Sequence, residues 1–127
     1  MDREPQPALD RRLPPARRLS PALYRDTFAR ERAFVGRLLV LWLRVAPDAA
    51  RRVGVVTSRR TLRTAVARNR ARRLLRETFR LQRVHLRPDA DVVLVARGRI
   101  ADARRPAVDD DFRAVCRKAR IWSETPC

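Results

Sequence analysis

The sequence predicts an α+β domain in which a helix, strands, a basic helix, a further strand and a last helix follow one another. Three observations carry that reading. Apolar residues recur at helical spacing in three stretches, short Val- and Leu-rich runs of strand length lie between them, and Gly or Pro stands at the joins. At 127 residues and 14.8 kDa, the chain has the size of one domain with one modest core.

Charge narrows the possible partners. There are 31 Lys and Arg against 14 Asp and Glu, a formal charge of +17, and the only lysine is Lys118. Guanidinium is a planar fork that grips phosphate with two parallel bonds, so this balance points to a phosphate backbone. The longest apolar run, Leu38 to Leu43, is far short of the ~20 residues of a membrane span. Asp2, Arg3, Glu4 and neighbouring prolines occupy the place of a signal peptide, which predicts a cytoplasmic protein. Cys116 and Cys127 are expected as free thiols, and with His85 as the single histidine there is no ligand set for zinc.

In chain order, residues 1–18 mix Pro5, Pro7, Pro14 and Pro15 with Arg11, Arg12, Arg17 and Arg18 and predict a disordered basic tail. Ser20 then caps a helix with Pro21 at its first position, running to about Arg30. Tyr24 and Phe28 share a face of it with Leu23 and Thr27 alongside, a spacing whose ordinary meaning is core packing. Gly36 marks a break. Arg37 to Val45 is a predicted strand, followed by a turn at Pro47-Asp48 and a second strand, Arg52 to Ser58, antiparallel to the first.

The basic helix is predicted from an N-cap at Thr64 to about Val84. Ala67, Ala71, Leu74, Leu75, Thr78 and Gln82 form its apolar stripe, with Leu81 at the margin. The other side holds Asn69, Arg72, Arg76, Arg80 and Arg83. Arginines four apart repel one another, and within the helix only Glu77 offsets them, so the pattern calls for a polyanion outside the chain. Pro88-Asp89 ends the segment, and Asp91 to Ala96 is a strand apolar enough to be buried on both faces. After a loop from Gly98 to Pro106, Asp109, Asp110 and Asp111 are expected to favour a helix N-terminus rather than hold metal. Phe112, Val115, Cys116, Ala119 and Trp122 form that helix's stripe.

The run Arg68-Asn69-Arg70-Ala71-Arg72-Arg73-Leu74-Leu75-Arg76-Glu77 resembles the signature helix of the bacterial ribonuclease P protein component. Val53-Gly54-Val55 before Ser58-Arg59-Arg60, and Ala65-Val66 before the signature, resemble the same family, over about residues 19 to 122. Where the family usually has glycine before its Ala-Val, this chain has Thr61-Leu62-Arg63-Thr64. The resemblance implies one RNA-binding domain over 19–122 with a short tail, 123–127. It implies an α/β sandwich of about four strands and three helices, like the second domain of ribosomal protein S5, with a left-handed β-α-β crossover through the basic helix.

It also implies roles. Arg59, Arg60, Arg68, Asn69, Arg72, Arg73 and Arg76 fall on RNA-binding positions, and Tyr24, Phe28, Arg37 and Trp42 on a cleft for the single-stranded 5′ leader of precursor tRNA. The chain is then expected to be the accessory subunit of a ribonucleoprotein endoribonuclease, with ribonuclease P RNA and precursor tRNA as partners and no obligate protein partner. Catalysis would lie in the RNA, with Mg2+ held mainly there. No catalytic residue and no metal ligand is assigned to the protein, because no convergent base or carboxylate set is evident. A noncatalytic structural RNA binder, such as a ribosomal protein, shares the composition and is the alternative.

Overall fold

A computed structural model describes residues 17–126; the expected tail over residues 1–16 and Cys127 lie outside the described part. Four strands, β1 (Ala33–Val35), β2 (Leu39–Val45), β3 (Val53–Val56) and β4 (Ala90–Ala96), make one sheet in the order β1-β2-β4-β3. Three helices, α1 (Pro21–Ala29), α2 (Ala65–Gln82) and α3 (Arg105–Lys118), complete the α+β architecture.

β4 is the centre. Val92, Val93 and Leu94 of its apolar run are buried, on both faces as the sequence predicts, with Val95 half-buried, and such a strand needs neighbours on both edges. It pairs antiparallel with β2 from Val45↔Ala90 to Leu39↔Ala96, and parallel with β3 from Val53↔Val92 to Val56↔Val95. The expected antiparallel pairing of the strand after Pro47-Asp48 with its predecessor is therefore wrong, since β4 lies between them. The cause is Asp91. Its carboxylate accepts the backbone N–H groups of Ala50 (3.0 Å) and Arg52 (2.9 Å), which draws the 46–52 loop past β2 and onto the start of β4. α2 is then the crossover that joins the parallel neighbours β3 and β4.

The predicted strand from Arg37 is β2, which begins at Leu39, and it is the second arm of a hairpin whose first arm, β1, lies before Gly36 and was not predicted. Gly36 N–H donates to the Leu39 carbonyl at 2.8 Å, and the turn backbone finds its partner far away in sequence. The Asp111 carboxylate accepts from Arg37 N–H and Leu38 N–H, both at 2.9 Å. This overturns the capping role for the acidic triplet. α3 begins at Arg105 with Arg104 as its N-cap, so Asp109 to Asp111 lie a turn inside it, and Asp111 is buried against the hairpin. The predicted 98–106 loop holds a 3-10 turn over Gly98–Asp102 and the start of α3. Trp122 lies beyond α3, in a bridge to Leu86 with its ring stacked on His85 at 4.6 Å.

The register puts Leu39, Leu41 and Leu43, Val53, and Val92, Leu94 and Ala96 on one face of the sheet. Against them lie Ala71, Leu75 and Phe79 of α2 and Val108, Phe112, Val115 and Cys116 of α3. Phe79, absent from the predicted stripe, is fully buried and meets Phe112 edge to face with centroids 6.4 Å apart. Burial pushes the Cys116 thiol well above its ordinary pKa, so it is an inert core group. The other face carries Trp42, Arg44, Gly54, Asp91 and Val93 and is crossed by α1.

Because Asp111 accepts two backbone donors from a hairpin it does not belong to, Asp111→Ala is expected to lower stability by about 2–4 kcal/mol. Urea unfolding measures it, and a change below about 1 kcal/mol would assign the hairpin's anchorage elsewhere.

Candidate nucleic-acid interface

α2 is built so that one side is committed to the core. Thr64 caps it, its hydroxyl accepting from Ala67 N–H at 3.1 Å, and Ala71, Leu75, Thr78, Phe79 and Gln82 are buried. At 3.6 residues per turn the opposite side holds Val66, Asn69, Arg73, Arg76 and Arg80. Val66 is 79% exposed, an apolar side chain on the outer face with no part in the core.

The basic side chains around this helix divide by what they touch. Arg70 donates to the carbonyls of Ile100 and Ala101, both at 3.2 Å, and to that of Ala103, strapping α2 to the 3-10 turn. Arg68 reaches the Leu62 and Arg63 carbonyls at 3.0 and 3.1 Å. Arg72 donates to the Thr57 hydroxyl at 2.6 Å and to the Asn69 side-chain oxygen at 2.5 Å, which ties the helix to the end of β3. Arg80 holds Glu77, whose pKa is lowered by that bond first and by Arg105 as well. Arg83, expected on the outward side, is 3% exposed where the chain turns from α2 into a 3-10 turn. Arg73 and Arg76 are exposed and make no ion pair or hydrogen bond with a described residue. The same holds for Arg59 and Arg60 on the β3–α2 loop.

The structure thus gathers Asn69, Arg73 and Arg76 into an outward face, keeps Arg72 at its edge, and turns Arg68 back on the loop. Arg70 was missed by sequence reasoning because a strap to backbone carbonyls leaves no pattern at helical spacing.

The second surface lies across the sheet. The Tyr24 hydroxyl accepts from Val55 N–H at 2.9 Å, and its ring lies so close on Gly54 that an added Cβ there would collide with Tyr24 Cζ. Glycine inside a strand signals such an approach, and this one went unread in the sequence. Phe28 meets Trp42 edge to face at 5.1 Å, and all three aromatic rings are half-buried. The next row on this face is apolar across all four strands, with Val35, Val40, Val95 and Val56 side by side. Arg97 donates to the Gly36 carbonyl at 2.6 Å at the rim of that row. Arg37 is not brought to the aromatic cluster. It lines a cavity of about 500 Å³ on the α3 side with Leu38, Arg99, Asp102 and Asp110.

α1 itself buries only Thr27, and polar bonds hold it in place. Arg44, whose side chain is 6% exposed, donates to Asp26 of α1 at 2.5 Å, to Asp48 at 2.7 Å and to Asp91 at 3.1 Å. The bond to Arg44 holds the carboxyls of Asp26 and Asp48 below the usual carboxylate range, so both stay charged at neutral pH.

Fold and faces together define a small basic α+β protein with an uncompensated arginine surface on one layer and a half-open aromatic strip on the other. A family model described as Ribonuclease P matches residues 13–120. The ribonuclease P protein component of Thioalkalivibrio sulfidiphilus is 35% identical over 125 residues, covering 94% of this chain and 97% of that protein. That of Coxiella burnetii is 39% identical over 82 residues, 65% of this chain and 67% of that one. Among solved structures, the ribonuclease P protein of Staphylococcus aureus superposes with a TM-score of 0.72 at 20% identity, covering 84% of this chain and 98% of that one. The Thermotoga maritima protein gives 0.68 at 21%, covering 79% and 96%. The chain belongs to the ribonuclease P protein component family. Among the described residues no three His, Cys, Asp or Glu side chains group to hold a metal ion, and no helix is long and apolar enough to cross a membrane.

The contrast between strap and outward face gives a stability test. Arg73→Ala and Arg76→Ala should each leave the unfolding free energy within about 0.5 kcal/mol of the parent, because neither side chain bonds to the rest of the described chain. Arg70→Ala should cost about 1–3 kcal/mol, since it abandons three carbonyls. Denaturant titration of the three variants checks the order.

Proposed function

We propose that the chain is the protein subunit of the ribonuclease P ribonucleoprotein, promoting endonucleolytic 5′ maturation of precursor tRNA in the cytoplasm. The outward face of α2, with Arg59 and Arg60 of the preceding loop, lies on the RNA subunit. The cleft between α1 and the sheet takes the 5′ leader. One observation carries this reading: Arg59, Arg60, Arg73 and Arg76, on α2 and the loop before it, have no countercharge or hydrogen bond among the described residues, whereas Arg68, Arg70 and Arg72 of the same helix are bonded to the protein's own oxygens. Like charges left exposed on one face cost stability, and a phosphate backbone reverses the sign of that cost.

Hydrolysis in this reading belongs to Mg2+ held mainly by the RNA subunit, and the protein raises substrate affinity and screens phosphate repulsion. Phe28 and Trp42 serve a leader of any sequence, because each base offers a π-face and stacking on it is worth ~1–3 kcal/mol. Tyr24 contributes the part of its ring that Gly54 does not cover.

Reconstitution from the chain, its RNA and precursor tRNA tests the assignment, with leader removal expected at a lower Mg2+ concentration than the RNA alone requires. Arg73→Ala with Arg76→Ala should weaken binding to the RNA subunit and flatten the log–log salt slope by ~0.7–0.9 for each phosphate that is no longer neutralised. An unchanged slope removes these side chains from the interface. Phe28→Ala should raise the apparent KM for leader-bearing substrate and leave leaderless tRNA binding alone; equal effects on both would return the ring to a packing role.

A further inference from the structure

We infer that Asp26, held by the buried guanidinium of Arg44, is a positioning residue that fixes α1 over the sheet and so sets the geometry of the leader cleft. The inference rests on the leader reading above and names what holds that site in shape.

α2 and α3 each bury five residues against the sheet or one another, whereas α1 buries only Thr27. A helix with so small an apolar footing is placed by directional bonds. The Tyr24 hydroxyl accepts from Val55 N–H on β3 at 2.9 Å, Arg30 donates to the Val45 carbonyl on β2 at 3.0 Å, and between them Asp26 accepts from Arg44 Nε at 2.5 Å. The first two hold the helix on either side of Asp26, which also pairs with Arg30 at 3.3 Å. The third is the one whose protein side is rigid.

Arg44 sits in β2 opposite Asp91 of β4, and Asp91 is wholly buried. Asp91 also takes Arg52 at 2.9 Å, so its carboxylate does not move without breaking bonds to two strands and a loop. Arg44 Nη1 is thereby fixed on Asp91, Nη2 on Asp48, and Nε is left pointing at α1. Asp26 is two residues from both Tyr24 and Phe28, and their side chains make the wall of the cleft, with the valine row Val35, Val40, Val95 and Val56 as its floor. Releasing Asp26 leaves α1 held through Tyr24 and Arg30 and free to rock over the sheet, changing the spacing between wall and floor.

Arg44→Ala is not an informative test, because it strands the buried Asp91 carboxylate and threatens the fold. Asp26→Ala and Asp48→Ala each remove one exposed-side partner of the same guanidinium, but only Asp26 belongs to α1. With the reconstituted holoenzyme, Asp26→Ala should raise the apparent KM for precursor tRNA bearing a leader of several nucleotides by roughly three- to tenfold, the net worth of one typical hydrogen bond. kcat, affinity for the RNA subunit, and KM for a substrate with a single-nucleotide leader should not change. Asp48→Ala should leave all four unchanged, and Asp26→Glu should restore most of the affinity. Equal effects of Asp26→Ala and Asp48→Ala, or a loss that falls equally on both substrates, would overturn the positioning role. A parent holoenzyme that shows no preference for the longer leader would overturn the leader reading itself, and this inference with it.

Discussion

A carboxylate with no exposed surface stands near the start of the central strand, and the layout of the sheet follows from it. Leaving Asp91 buried without donors would cost several kcal/mol, so the chain has to bring donors to it. Ala50 and Arg52 supply backbone N–H groups, and Arg52 and Arg44 supply guanidinium. Those bonds carry the loop after β2 across the start of β4, and the next strand then lies parallel on β4's far edge. Parallel neighbours need a long crossover, and the 18 residues of α2 provide it. The same carboxylate fixes Arg44, and Arg44 fixes α1. One buried charge thus connects strand order, the crossover and the seating of the first helix.

A chain with more than twice as many cations as anions cannot neutralise its arginines with carboxylates alone. It uses backbone carbonyls instead. Arg17 donates to Ala50, Arg30 to Val45, Arg52 to Asp48, Arg68 to Leu62 and Arg63, Arg70 to the 98–102 turn and Ala103, Arg97 to Gly36, and Lys118 to Val35. Each such bond closes a turn or loop end whose oxygen would otherwise need water. Exposed ion pairs add little beside this, typically about 0–1 kcal/mol each. Among the described residues, the arginines that make no such bond include Arg73 and Arg76 on the outward side of α2 and Arg59, Arg60 and Arg63 of the loop before it, and also Arg25, Arg32, Arg37, Arg99, Arg104 and Arg120 elsewhere on the surface.

Local chemistry was legible in the sequence, and long-range pairing was not. Ser20 and Thr64 are the caps of α1 and α2 as read, Pro21 is the first residue of α1, and the Val-Val-Leu-Val run is the buried strand. Each of those depends on neighbours within a few residues. The position of β3 depends on a contact between residues 50–52 and 91, and the hairpin at Gly36 on a contact with residue 111, neither of which leaves a periodic trace. Asp109-Asp110-Asp111 shows the difficulty well. Three carboxylates in a row suit a helix N-terminus, and nothing local reveals that the third is buried against the hairpin. Likewise Arg83 carries the same charge as Arg76, and only the end of α2 decides that one goes inside and the other stays out. In the site, helical periodicity placed Arg76 on the outward side, where it lies, but left out Arg73, which lies there too, and the resemblance grouped Arg37 with aromatic residues from which the hairpin turns it away.

The two surfaces are not independent, because both are fastened to β3. Its end is tied to α2 by the bond from Arg72 to Thr57, and its middle takes Tyr24 of α1 through Gly54 and Val55. Layers in such a sandwich are separated by ~10 Å, so the two helices lie on opposite sides of one short strand with little room to change their relation. On the proposed function, a basic face on one layer and an aromatic strip on the other, at a distance set by the sheet, would hold two ligands in a fixed relative position. A close-packed sheet between two helices supplies the rigidity that such orientation requires.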